Sequence, residues 1–406
     1  MTATWRTTLT TLDLESPSAA PQVGLRARAE IAAAAAGLHS DAVDRAAAFP
    51  AEAFAAAREQ RLLSMLVPRE LGGDGATMSD VVDVCYVLGG ACASTAMIFA
   101  MHQIQVAILA RHGRGSPWHE QLLRMVSREQ LLLASSTTEN QTGGVVRASA
   151  CAVERSGSRM SLVKNATVMS YGAEADGLLM TARRAPDSPP SDQVLVAFLK
   201  SDYELERIRG WDAMGMRGTC STGFTLRGSA GVEQIIPVPY ERIHPQSMVP
   251  VAHLTWSAVW CGIAAGAVSR ARRFVRDAAR QANGQVPPGA AHLTRSILAL
   301  NALRATISSA VRRFEVASAS DEALEALDFQ TGMNLLKVSS SESAIAIVMG
   351  AMQACGLSGY RNDGEFSIAR RLRDVLSSSI MISNDRILAG AAGSLLLFDV
   401  PALVRD

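Results

Sequence analysis

Apolar residues recur with a helical period from Leu25 to about Val67, in a stretch rich in alanine, and Pro50-Ala51-Glu52 puts a proline where a helix can start without losing a needed donor. The Gly72-Gly73-Asp74-Gly75 cluster interrupts this pattern. Helical spacing then resumes from about Met78 to Ala110 and from Pro117 to about Gln130. Between residues 131 and 245 the texture changes to short apolar segments, Ser161 to Ser170, Gly177 to Arg184 and Gln193 to Lys200, separated by Gly, Pro and Asp. That punctuation predicts strands of an antiparallel, barrel-like β-domain. From His253 onward Trp256, Trp260, Ile263, Ala267 and Phe274 fall on one stripe of a long helix. Further long helices are expected at about 289 to 318, 321 to 356 and 366 to 398, which together predict a C-terminal four-helix bundle. The chain therefore divides into a mobile leader (1–24), an N-terminal helical domain (25–130), the β-domain (131–245) and the bundle (246–406), a mainly α fold with a central β-domain.

Composition narrows the partners. Of the 406 residues, 48% are hydrophobic and only 5% aromatic, which suits closely packed helices. Lysine plus arginine (39) nearly balance aspartate plus glutamate (38), so no global field draws in nucleic acid or an anionic membrane. The six cysteines form neither a C-x-x-C pair nor a cluster with histidines, so neither a zinc site nor a disulfide framework is expected. With no signal-peptide pattern and no run of roughly 18 uninterrupted apolar residues, a cytoplasmic protein is expected.

Five local segments carry a family resemblance. STTENQTGG (Ser136 to Gly144) resembles the flavin-facing TEPxAGSD segment of acyl-CoA dehydrogenases, and VMSYGAEAD (Val168 to Asp176) resembles their WITNGxxAD segment. WDAMGMRGTCSTGF (Trp211 to Phe224), QACGLSGY (Gln353 to Tyr360) and RRLRD (Arg370 to Asp374) resemble later segments of the same family, in the same order. The resemblance implies a flavin between the β-domain and the bundle, FAD by family habit. The poor match of RQANGQVPPGA (Arg280 to Ala290) to the family's pyrophosphate-binding segment leaves FMN open. It further implies that Thr137, Thr138 and Ser170 face the flavin's polar edge, where hydroxyls supply donors for the charge that reduction creates. Read without the resemblance, these hydroxyls satisfy strand-end backbone groups. Gln353 and Gly356 match positions that approach a neighbouring subunit's dinucleotide, so a homodimer or homotetramer is implied; equally, Gly356 reads as a helix terminator.

The catalytic glutamate is where the resemblance fails. The place of the usual base, about eight residues after the RD pair, falls at Ile382, and the family's second solution falls near Trp256. Asp385 is the nearest carboxylate to the vacated place; three residues on along a helix, a rotation of roughly 300°, it would lie on a nearby face. His102 stands where relatives carry a histidine near the acyl pocket, and reads either as an acid or base or as a satisfied core residue. The resemblance thus implies a dehydrogenase of an acyl thioester, on CoA or on an acyl-carrier protein, with its base at an unusual position. The alternative is a monooxygenase of the same fold, using reduced flavin and oxygen and needing no α-proton base; a non-catalytic relative is the third reading.

Overall fold

The computed structural model describes residues 23–139 and 147–397. The expected leader lies outside them, apart from its last two residues, as do Asn140 to Gly144 of the first flavin-like segment.

Helices α1 (Leu25–Ala46), α2 (Ala51–Glu59), α3 (Met78–Ala91), α4 (Ala93–His112) and α5 (Pro117–Glu129) form the first third of the chain. Pro50 precedes α2 as expected, and Thr77 and Asp80 start α3 with a reciprocal capping box. The helical block expected from Met78 to Ala110 consists of two helices, divided where Cys92 takes an extended conformation (φ −143°, ψ 116°) between α3 and α4.

The β-domain comprises β1 (Leu133–Ser136), β2 (Glu154–Ser156), β3 (Arg159–Met169), β4 (Gly177–Arg183), β5 (Gln193–Leu199), β6 (Tyr203–Arg209) and β7 (Thr222–Gly231). They form two open sheets, β1-β4-β5 and β2-β3-β7-β6, so the expected barrel does not close. Nor is the domain wholly antiparallel, since β1 pairs with β4 in parallel register from Leu133 opposite Gly177. That pairing joins strands some forty residues apart, which a local turn signal cannot announce. The inner sheet, β4 and β5, is buried almost throughout, whereas β3 alternates exposed and buried positions.

The remaining helices are α6 (Tyr240–Ile243), α7 (Val249–Gln281), α8 (Ala290–Ala317), α9 (Asp321–Glu325), α10 (Leu327–Cys355), α11 (Leu357–Tyr360), α12 (Ala369–Leu376) and α13 (Asn384–Leu395). Helix α7 is the spine, packing against α10 and α8 on one side and α3 on the other. Where α3 and α7 cross, Gly89 and Gly262 face each other; a Cβ on Gly262 would lie 2.3 Å from the Tyr86 carbonyl oxygen. Three helical stretches, α4, Tyr240–Gln281 and α10, are long and apolar enough to cross a membrane, but 83%, 83% and 50% of their apolar windows are buried within the fold.

The helix expected over 366–398 is broken in the middle. Ser377 donates to the Asp374 carbonyl (2.6 Å) and Ser379 to that of Leu376 (3.4 Å), hydroxyls that compete with the helical ladder. Ile382 then adopts φ +52°, and Ser383 restarts the helix by accepting from the Arg386 N–H. Lys337 of α10, fully buried, pins the break: its Nζ donates to the Ile382 carbonyl (2.6 Å) and to Asn384 Oδ1 (2.7 Å).

Candidate functional site

A cavity of about 840 Å³ opens where α4, the ends of β1 and β3, the 211–221 loop, α7 and the α12–α13 break converge. Each wall has a local cause. The VMSYG segment leaves β3 through Tyr171 (φ +41°), whose N–H bonds the Thr219 carbonyl and whose hydroxyl bonds the Leu133 carbonyl at 2.9 Å. The WDAMGMRGT loop is clamped to the RRLRD segment of α12. Met216 N–H donates to Asp374 Oδ1 (2.7 Å), and Arg373 donates to the Met214 carbonyl (2.7 Å) and to Asp44. Gly215 lies so close to the Arg373 carbonyl that a Cβ there would come within 2.1 Å. Two of the sequence segments that carried the resemblance are thus one structural joint.

The first flavin-like segment is anchored by a buried ion pair. Glu139 accepts from the N–H groups of Ala150 (2.8 Å) and Cys151 (3.0 Å) and from Ser149, and pairs with the fully buried Lys164 at 3.2 Å. Burial pushes the Glu139 carboxyl up, but Lys164 and these donors outweigh it and hold the group below the usual carboxylate range. Glu139 is the only carboxylate among the described lining residues, and it is committed to this anchor.

Thr137, Thr138 and Ser170 all line the cavity. Among the described residues the Thr138 hydroxyl makes a long contact, 3.5 Å, to the Val168 carbonyl, a bond weak enough to yield to a ligand. Gln105 and Trp256 also line the cavity, and their Oε1 and Nε1 atoms are buried without a partner among the described residues. An isoalloxazine, with ring carbonyls and an N–H along one edge, fits such a set of free donors and acceptors.

The two residues that the resemblance sets at or near a base's place, Trp256 and Ile382, are on this wall. Trp256 projects from α7, and Ile382, 37% exposed, stands at the mouth beside Ile380 and Met381. Asp385 is not there. Its expected position assumed an unbroken helix, whereas the break at Ser377 to Ser383 places it on the exposed first turn of α13, outside the cavity lining. His102 is also outside the lining. It is fully buried with both ring nitrogens in use, Nε2 against the Leu63 carbonyl (2.7 Å) and Nδ1 accepting from the Leu133 N–H (3.0 Å), and burial drives its pKa down to about 4. A buried imidazole bridging two backbone groups fits the reading of a satisfied core residue. Gln353 and Gly356 are exposed at the far end of α10, away from the cavity.

Sequence reasoning missed His244 and His253, which line the cavity with pKa values pushed by burial to about 4 and about 3. His253 Nδ1 lies 3.1 Å from the Met333 carbonyl. Its signal was present: it precedes Trp256 by three positions, one turn along the same helix face. Burial disfavours the charged form of both rings; the His244 ring packs edge-on against Tyr240.

The profile of the acyl-CoA dehydrogenase N-terminal domain matches residues 25–129, and that of the acyl-CoA dehydrogenase C-terminal domain matches residues 247–389. Cyclohex-1-ene-1-carbonyl-CoA dehydrogenase of Syntrophus aciditrophicus (strain SB) is 24% identical over 367 residues, 88% of this chain and 84% of the relative. The probable FMNH2-dependent monooxygenase SfnC of Pseudomonas putida is 24% identical over 319 residues, 72% of this chain and 75% of the relative. FMN-bound TdsC from Paenibacillus sp. A11-2 superposes with a TM-score of 0.82 at 18% identity, covering 93% of this chain and 98% of that one, a likeness of fold.

Proposed function

The chain belongs to the acyl-CoA dehydrogenase family and is a flavin-dependent oxidoreductase; from that premise we propose that its cavity serves oxygen transfer to an apolar substrate. One observation carries the choice. Ile382 and Trp256, at and near the places where the resemblance puts the catalytic glutamate, both line the cavity, and neither side chain is a base. Removal of an α-proton from an acyl thioester needs a carboxylate or another base within hydrogen-bond reach. Among the described residues the one lining carboxylate, Glu139, is tied to Lys164, and of the lining histidines His253 has its Nδ1 against the Met333 carbonyl.

A bound flavin, FMN or FAD, supplies the electrons and, once reduced, the activation of oxygen. The protein's part is binding, orientation and exclusion of water. Thr138 offers a donor to the ring's carbonyl edge, while the Trp256 Nε1–H and Gln105 Oε1 are one free donor and one free acceptor for flavin or substrate. Met97, Met101, Met248 and Trp211 provide an apolar wall that keeps water from the reactive site and takes an uncharged substrate.

The second reading, dehydrogenation of an acyl thioester on CoA or on a carrier protein, draws support from the dehydrogenase relative that spans 88% of the chain. Anaerobic mixing separates the two. Oxygen transfer predicts that acyl thioesters leave the bound flavin yellow, and that oxygen is consumed and inserted into an apolar substrate only when reduced flavin is supplied. Bleaching by an acyl thioester in the absence of oxygen would refute it. We also propose a homodimer or homotetramer, supported by the half-exposed apolar α10 and by the exposed Leu357 (73%) and Tyr360 (71%) beside Gln353 and Gly356. Light scattering at working concentration tests this, and a monomer would refute it.

A further inference from the structure

Three short oxygen–oxygen contacts run inward from the cavity wall. Ser170 Oγ is 2.8 Å from Ser221 Oγ, Ser221 Oγ is 2.7 Å from Thr219 Oγ1, and Thr219 Oγ1 is 2.8 Å from the Met216 carbonyl oxygen. Oxygens this close need a proton between them. Three hydroxyls bring three protons to three contacts, and the last oxygen is a carbonyl, which can only accept.

The count determines the direction. Thr219 donates to Met216, Ser221 donates to Thr219, and Ser170 donates to Ser221. Reversing the chain would leave Thr219 Oγ1 and the Met216 carbonyl lone pair against lone pair at 2.8 Å. The end of the relay is also held in place. The Met216 carbonyl takes a further bond from Trp211 Nε1 (3.2 Å), and the Met216 N–H is bonded to the buried Asp374 (2.7 Å). Ser221 and Thr219 are themselves buried, so water does not compete for their protons.

The consequence falls on Ser170. Its proton is spent inward, so toward anything in the cavity it presents lone pairs only. It cannot be the donor that the family resemblance assigns to this position. An oxidised isoalloxazine has one bare nitrogen in its central ring, N5, and that atom facing Ser170 would set lone pair against lone pair. After reduction the same nitrogen carries hydrogen and makes a bond.

We propose that Ser170, polarised by Ser221 and Thr219, makes this cavity select reduced over oxidised flavin by accepting from a ring nitrogen that carries hydrogen only after reduction. This rests on the reading that a flavin fills the cavity. Ser221 and Thr219, which also line the cavity, then act as positioning residues: they dictate which way the Ser170 proton points.

The test is anaerobic titration of the full chain with oxidised and with reduced FMN, and with FAD in parallel, for the parent, Ser221→Ala and Ser170→Ala. The parent should bind the reduced form more tightly. Ser221→Ala frees the Ser170 hydroxyl to turn and donate, so oxidised flavin should bind more tightly and the preference should fall about tenfold, the order of one hydrogen bond. For a two-electron couple that is a drop of about 30 mV in the potential of the bound flavin. Ser170→Ala should weaken only the reduced form. Both forms weakening together in Ser221→Ala would mark a merely structural role and overturn the relay, as would a preference within about twofold of the parent. Failure of the parent to bind flavin in either state would overturn the cavity reading itself, and the relay with it.

Discussion

Replacing His102 by glutamine separates the structural role of this residue from a catalytic one. Glutamine can still reach the Leu63 carbonyl with its amide, but the Leu133 N–H loses the acceptor that lies 3.0 Å away in the parent. Leu133 is fully buried, and an unsatisfied buried donor costs about 1–3 kcal/mol, the destabilisation expected at pH 7.5. The pH dependence is the sharper readout. The ring titrates at the ordinary 6.5 when unfolded and at about 4 when folded, so between these values the unfolded chain holds more protons and stability falls as the solution is acidified. A gap of about 2.5 pH units, at about 1.4 kcal/mol each, amounts to roughly 3 kcal/mol of acid destabilisation that the variant lacks. Urea unfolding at pH 7.5 and pH 5 should therefore show the deficit of the variant shrinking at the lower pH. Turnover per bound flavin should stay within a few-fold of the parent. A variant equal to the parent in stability at both pH values, but slower by about 100-fold or more, would refute this and make His102 an acid or base.

Asp385→Asn should leave flavin content unchanged and turnover within about twofold, measured under saturating substrate, because Asp385 sits on an exposed helix start outside the cavity. Gly262→Ala should cost about 1–3 kcal/mol in denaturant unfolding, since its Cβ would meet the Tyr86 carbonyl at 2.3 Å and Gly89 Cα at 3.0 Å where α3 and α7 cross. Glu139→Gln strands the buried Lys164 charge and should cost about 3–5 kcal/mol, with loss of bound flavin because the same carboxylate anchors the segment carrying Thr137 and Thr138. Adding Lys164→Met to that variant should recover part of the loss, and spectra of the purified proteins would show whether it does.

The order helices, β-domain, helices was legible along the chain, because period and turn residues are local properties and the long stripe on α7 recurs over many turns. So was the set of cavity hydroxyls at Thr137, Thr138 and Ser170, carried by segments whose order matched a family. Tertiary structure decided everything that depends on a distant partner. The parallel pairing of β1 with β4 joins segments some forty residues apart. The break that moves Asp385 out of the cavity is held by Lys337, forty-five residues earlier in the chain. The fate of His102 was set by Leu63 and Leu133 on either side of it in sequence. The direction of the Ser170 proton, finally, is dictated by a carbonyl at Met216 reached through two other hydroxyls. A side chain's type limits what bonds it can form, but which atom is left free for a ligand depends on which neighbours folding brings within hydrogen-bond distance.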